Sequence, residues 1–157
     1  MIMESTNEKT LFEVAEIQLT YKSKVKASER PLIQSSRDAF NVLSKHWDKD
    51  KIDFVEQFTL LLLNRANKVI GLYVLSTGTT TGTVADPRLI FASAIKANAC
   101  GIILSHNHPS GNLRPSQADI DLTKKLKEGG KFLELPILDH IIITSESYYS
   151  FADEGLL

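Results

Sequence analysis

The chain is poorest in the residues that build cross-linked or membrane-anchored proteins. It has a single cysteine, Cys100, which rules out an intrachain disulfide and any zinc module made of several thiolates. The longest uninterrupted apolar run, Leu60 to Leu63, falls far short of the roughly 20 residues that a membrane-spanning helix needs. Glu4 and Glu8 lie near the N-terminus, where no apolar stretch of signal-peptide length occurs, so a cytoplasmic protein is expected. Neither charge sign dominates: 18 basic residues face 19 acidic ones, for a formal net charge of −1. No global field therefore gathers nucleic acid or acidic lipid. Local basic clusters at Lys22, Lys24, Lys26 and Arg30, and at Lys124, Lys125, Lys127 and Lys131, read as solvated faces. Several active-site signatures are absent as well. There is no His-Glu-x-x-His and no GxxxxGK[ST] loop, and Gly78 and Gly82 lack the spacing of a dinucleotide fingerprint. One cysteine cannot supply the Pro-Cys-x-x-Cys of the base deaminases.

What is present reads as one domain of 157 residues, long enough to bury a core without covalent staples. Met1 to Thr10 is polar and expected to fray. Val14 to Tyr21 alternates, with Ile17, Leu19 and Tyr21 on one face, and predicts a strand within an N-terminal extension of residues 1–30. Ser35 or Ser36 can cap a helix carrying Ala39, Phe40, Val42, Leu43 and Trp47. Phe54 to Asn64 predicts a buried strand, and Asn64 to Lys68 a turn into a returning strand, Val69 to Leu75. Ser76 to Thr83 reads as a loop. Asp86-Pro87 starts a helix running toward Ala99. Cys100, among small apolar neighbours, reads as buried at the start of a short strand through Leu104. Pro115-Ser116 opens a helix that Gly129-Gly130 is expected to stop. Pro136 to Thr144 makes the final strand, and the tail to Leu157 packs through Tyr149, Phe151, Leu156 and Leu157. Alternating strands and helices give an α/β (α+β) class with helices on one mixed sheet. The apolar tail leaves a homodimer open.

The chemistry gathers after the strand that begins at Cys100. His106 and His108 lie two apart, so on an extended strand both side chains point to one face. Pro109-Ser110-Gly111 then turns the chain, and Asp119 falls in the first turn of the next helix, ten residues beyond His108. Two imidazoles and a carboxylate, with a fourth position left for water, make a catalytic zinc site rather than a structural one. Zn²⁺ so held lowers the pKa of its water to about 7. Glu56, beside Phe54, Val55 and Phe58, is the candidate proton shuttle, since partial desolvation raises a carboxyl pKa. Ser116 can donate to the oxyanion of a tetrahedral intermediate, and Ser116-x-x-Asp119 also fits a capping box. Thr77 and Thr79 either line the cleft beside the metal or cap the loop.

Together, Glu56, His106-x-His108 and Ser116-x-x-Asp119, with seven residues between His108 and Ser116, resemble the JAMM motif of the MPN+ (JAB) metallopeptidase-like domains. Leu61-Leu62-Leu63-Asn64, Ser76-Thr77-Gly78-Thr79, Asp86-Pro87-Arg88, His106-Asn107-His108-Pro109-Ser110-Gly111 and Asp139-His140-Ile141-Ile142-Ile143 resemble, more narrowly, the bacterial RadC proteins. The resemblance spans residues 31–157, the expected JAB/MPN domain. It implies a curved mixed sheet flanked by helices, related in outline to the cytidine deaminases. It also implies Zn²⁺ on His106, His108, Asp119 and water, Glu56 as acid and base, and Ser116 assisting. His140, in the family's Asp-His pair, is expected to support the ligands rather than bind the metal. RadC proteins traditionally carry a DNA-repair label. The helix-hairpin-helix-like region of the longer RadC form is not expected in the short stretch before Pro31. Two functions follow: a zinc-dependent hydrolase cleaving an amide or isopeptide bond of a protein or peptide, or a DNA-associated repair or mobile-element factor without peptidase activity. A third is a scaffold that keeps the site without turnover. JAMM sites on one fold serve different bonds, so fold alone does not choose the substrate.

Overall fold

Alternation along β1 (Gln57–Leu63) decides which helix covers which face of the sheet. All seven of its residues are buried, as expected for a strand apolar on both sides. Phe58, Leu60 and Leu62 pack with Ile90 and Ala94 of α2 (Pro87–Lys96) and Leu126 of α3 (Gln117–Phe132). Leu61 and Leu63 pack on the opposite side with Ala39 and Leu43 of α1 (Ser36–His46) and with Trp47. The structure, a computed structural model, describes residues 13–78 and 84–157. The expectations for Met1 to Thr10, for Thr79 and for the rest of the loop to Thr83 lie outside the described residues.

The hairpin strand β2 (Val69–Thr77) is followed through the sheet by β3 (Gly101–Asn107), β4 (Ile137–Ile143) and β5 (Tyr148–Ser150), in the spatial order β2-β1-β3-β4-β5. Only β3 and β4 run parallel; the other pairs are antiparallel. A parallel pair needs a crossover, and α3 supplies it. The mixed sheet with three helices is the expected class. Helix starts follow local chemistry. Ser35 and Asp38 form a capping box, as do Ser116 and Asp119, while Asp86 caps α2 with Pro87 in its first turn. Among the described residues, no helix is long and apolar enough to cross a membrane.

Several expectations change, among them the loop expected from Ser76, whose first two residues belong to β2, and the strand expected from Phe54, which begins at Gln57. Val14 to Tyr21 forms no strand; Ile17 and Leu19 are 85% and 71% exposed. Alternation alone does not make a strand without a ladder to join and a face to bury; the Tyr21 hydroxyl reaches the sheet at the Ile70 carbonyl. Cys100 is exposed, not buried. It sits where the chain enters the central strand at one end of the sheet, its N–H donating to the Leu63 carbonyl at 2.7 Å. The strand after it continues to Asn107 rather than ending at Leu104, so His106 lies within the ladder. Finally, Gly129-Gly130 does not stop α3, which runs on to Phe132. The left-handed residue past its end is Glu134, at φ 55°.

Glycine at 130 answers a different need. A Cβ there would stand 2.4 Å from the Leu135 carbonyl oxygen, a backbone atom that cannot step aside, whereas at 129 it would meet the Phe91 ring at 3.1 Å. Gly130→Ala should therefore lower stability by about 1–3 kcal/mol, outweighing the roughly 1 kcal/mol that alanine gains over glycine in a helix. Urea denaturation midpoints test this; a midpoint equal to or above that of the parent would show that the α3–β4 turn relaxes freely.

Candidate metal centre

The parallel β3–α3–β4 unit brings the ligand-type residues to one end of the sheet. His106 is in the last turn of ladder on β3, His108 follows one residue past the strand, and Asp119 is in the first turn of α3. His108 keeps the pairing going beyond the strand, its N–H donating to the Ile143 carbonyl at 3.1 Å. The three side chains offer ligand atoms that all lie within 4.8 Å of one another, with His106 buried and the other two half-buried. His106 Nε2 is 3.0 Å from His108 Nε2 and 3.4 Å from Asp119 Oδ1. His108 Nε2 is 4.0 Å from Asp119 Oδ2.

The far nitrogens of both imidazoles are already engaged. His108 Nδ1 lies 2.5 Å from the Asn112 carbonyl, which can only accept, so this nitrogen carries the proton and Nε2 presents a lone pair. His106 Nδ1 lies 2.8 Å from His140 Nε2. The ring of Phe58 lies parallel over His106 with centroids 6.0 Å apart. His108 Nε2 turns its lone pair toward His106 Nε2 at 3.0 Å, and a cation held between the two nitrogens would bind both. With a carboxylate as third neighbour, the donor set fits a small divalent ion with nitrogen and oxygen preference.

Burial on its own would raise the Asp119 carboxyl. Contact with His106 and donation from the Ser116 hydroxyl and backbone N–H hold it below the usual carboxylate range. The carboxylate is thus ready as an anionic ligand. Ser116 grips it firmly: its N–H and its hydroxyl each donate to Oδ2 at 2.7 Å. The capping box is therefore real, and it orients a carboxylate that could serve as a metal ligand. Burial pushes His140 well below the usual histidine range, as does the imidazole of His106, leaving it neutral at pH 7. His140 is stacked on Phe151, with centroids 4.6 Å apart. The Asp139 carboxylate organises the backbone around it, accepting from the His140 N–H at 2.7 Å, the Ser150 hydroxyl at 2.6 Å and the Ala152 N–H at 3.0 Å.

Glu56 immediately precedes β1 and is half-buried. Its carbonyl accepts from the Gly78 N–H at 2.8 Å, so pairing with β2 persists past the strand end. Phe58 pairs with His106 across β1 and β3. Continued two residues, that antiparallel register sets Glu56 opposite His108, and alternation puts it on Phe58's side of the sheet. Thr77 goes elsewhere. It belongs to β2, accepts from the Gln57 side-chain amide at 2.9 Å, and lines a cavity with His46 and Trp47 on the α1 side. It pairs with Gln57 rather than Phe58, so it faces away from the metal-ligand cluster.

Asn107 has no role in the sequence reading beyond its place between the two histidines. Fully buried, its carbonyl oxygen accepts from the Gln57 N–H at 2.7 Å. Its amide donates to the Ile52 carbonyl at 2.7 Å and the Val55 carbonyl at 2.9 Å. These partners fix which end of the amide is oxygen. The residue between the two histidines thus fastens the segment that carries Glu56, through the far face of the sheet. The signal was available in form only: a buried Asn on a strand must find partners, but which ones depends on the fold.

A family profile, the RadC-like JAB domain, matches residues 33–156. The chain is 48% identical over 124 residues to a UPF0758 protein of Flavobacterium johnsoniae, a match covering 79% of this chain and 53% of the relative. It is 42% identical over 124 residues to a UPF0758 protein of Trichodesmium erythraeum, covering 78% and 49%. To a UPF0758 protein of Methanococcoides burtonii it is 39% identical over 126 residues, covering 80% and 53%. The chain spans about half the length of the curated relatives it matches.

The Asn107 clamp can be tested by two substitutions. Asn107→Ala strands a buried N–H and two carbonyls, and should cost about 1–3 kcal/mol or more. Asn107→Asp keeps the acceptor for Gln57 but turns a second oxygen on the Ile52 and Val55 carbonyls, so it should be no more stable than the alanine variant. Denaturant midpoints read both; an aspartate variant as stable as the parent would contradict the clamp.

Proposed function

The chain belongs to the RadC family, with the RadC-like JAB domain, and from that premise we propose that it is a zinc-dependent hydrolase of amide or isopeptide bonds acting on a protein or peptide in the cytoplasm. The observation that carries this reading is the convergence of His106 Nε2, His108 Nε2 and the Asp119 carboxylate, each oriented by a hydrogen bond from behind. These three residues would hold the zinc. A zinc ion with an open position polarises a carbonyl and makes water a competent nucleophile near neutral pH.

The chain's own groups do the rest. Glu56, half-buried and opposite His108 in the extended register, takes the proton from the attacking water and returns it to the departing nitrogen. Ser116 has two donors on Asp119 Oδ2. Its backbone N–H keeps the carboxylate in place when the hydroxyl turns to the developing oxyanion. The first turn of α3 starts at this point, and the positive end of its helix dipole favours the negative charge that builds up in the transition state. A nucleic-acid substrate has less behind it: the net charge is −1, which supplies no global attraction for a polyanion.

Glu56→Gln tests the assignment. It removes the base while leaving the three metal-binding side chains intact, so the variant should retain bound zinc on metal analysis. Its turnover of isopeptide-linked and linear peptide substrates should fall by about 10²–10⁴. Undiminished hydrolysis would remove Glu56 from the mechanism, whereas parent protein inert toward every such substrate while cutting DNA would overturn the reaction class.

A further inference from the structure

Behind His106 runs a chain of hydrogen bonds with a fixed direction. It begins at the Asp119 backbone carbonyl, which accepts from the Thr123 hydroxyl at 2.6 Å, a helical bond back across four residues. A carbonyl has no proton to give, so the threonine proton is committed to it. The same hydroxyl oxygen is 2.6 Å from His140 Nδ1. Its one hydrogen being spent, it can only accept there, and His140 Nδ1 must donate. A neutral imidazole carries one N–H, so His140 Nε2 is left as an acceptor. That nitrogen faces His106 Nδ1 at 2.8 Å, which must in turn be the donor. His106 Nε2, the atom aimed at His108 and Asp119, is then bare.

We propose that Thr123 and His140 are positioning residues that set the tautomer of His106, holding its proton on Nδ1 so that Nε2 is free to bind a metal. The inference rests on the metal-centre reading above, but it makes a statement about protons that holds without a metal. The parts are built for it. Thr123 is 1% exposed and His140 0%, so water does not compete for either. His140 is packed between Phe58, at a centroid distance of 5.7 Å, and Phe151, at 4.6 Å. Its neighbour Asp139 spends its carboxylate on Ser150, Ala152 and the His140 backbone, not on the ring. The relay starts from the backbone of one ligand residue, Asp119, and ends on the ring of another, His106. Placement of α3 and the protonation pattern of β3 are thereby tied together.

Removing the hydroxyl should reverse the relay. In Thr123→Val, which keeps the shape, His140 Nδ1 has no acceptor for its proton. His140 then carries its proton on Nε2 and donates to His106 Nδ1, which moves the His106 proton to the metal-facing Nε2. Free neutral histidine in water also prefers that tautomer. The experiment is long-range ¹H–¹⁵N correlation on histidine-labelled, chelator-treated full-length protein, at a pH where the imidazoles are neutral, with Zn²⁺ titration in parallel. We expect His106 as the Nδ1–H tautomer in the parent and in Thr123→Ser, and as Nε2–H in Thr123→Val, with zinc affinity lowered about 10–100-fold in the valine variant and restored by serine. An Nε2–H tautomer for His106 in the parent overturns the proposal outright, even if the valine variant fails to fold. So does a valine variant that folds with an unchanged tautomer. A parent that shows the expected tautomer yet binds no zinc sinks the metal-centre reading and leaves the relay standing.

Discussion

The two-residue repeat of an extended strand, applied at the end of β3, is the constraint on which the rest of the site depends. It sends His106 and His108 to one side and Asn107 to the other. On the first side the two imidazoles meet at 3.0 Å. On the second the amide ties down Gln57, Ile52 and Val55. One stretch of three residues thus supplies two ligand-type groups and anchors the strand entrance where Glu56 stands. A register slip of one residue would exchange the faces and dismantle both.

That arrangement holds because β3 is central. Antiparallel β1 brings its N-terminal end alongside the C-terminal end of β3, and the parallel crossover brings the start of α3 to the same place. Three chain segments distant in sequence therefore end together. The helix contributes more than Asp119. Ser116 holds the carboxylate from the cap, and Thr123, one turn on, reaches His140 beneath His106. Capping, a local device worth about 1 kcal/mol in most helices, here also aims the Asp119 carboxylate toward the two imidazoles.

The convergence of His106, His108 and Asp119 was legible because it follows spacing: His-x-His points to one side on a strand, and Ser-x-x-Asp marks a helix start. Helix caps at Ser35, Asp86 and Ser116 were legible for the same reason, since each is decided within four residues. What escaped depends on partners far along the chain. Val14 to Tyr21 has the alternation of a strand but no strand to pair with. Gly130 looks like a stop signal and is instead a point of close approach to the Leu135 carbonyl. Thr77 reads as loop from its composition, although Gln57 across the hairpin draws it into β2. Asn107 and Thr123 carry no motif by themselves; their roles exist only once Ile52 and His140 are in reach. Cys100 sits among apolar residues, yet its place before the start of β3, at the end of the sheet, leaves it exposed.

The central claim is that His106, His108 and Asp119 bind one metal ion through Nε2, Nε2 and a carboxylate oxygen. Crystals of the protein grown with zinc, measured across the zinc absorption edge, test it most directly. The account predicts an anomalous peak about 2.0–2.1 Å from both Nε2 atoms and about 2.0–2.2 Å from an Asp119 oxygen. A peak at other residues, ligation through Nδ1, or no peak among these three side chains would contradict it.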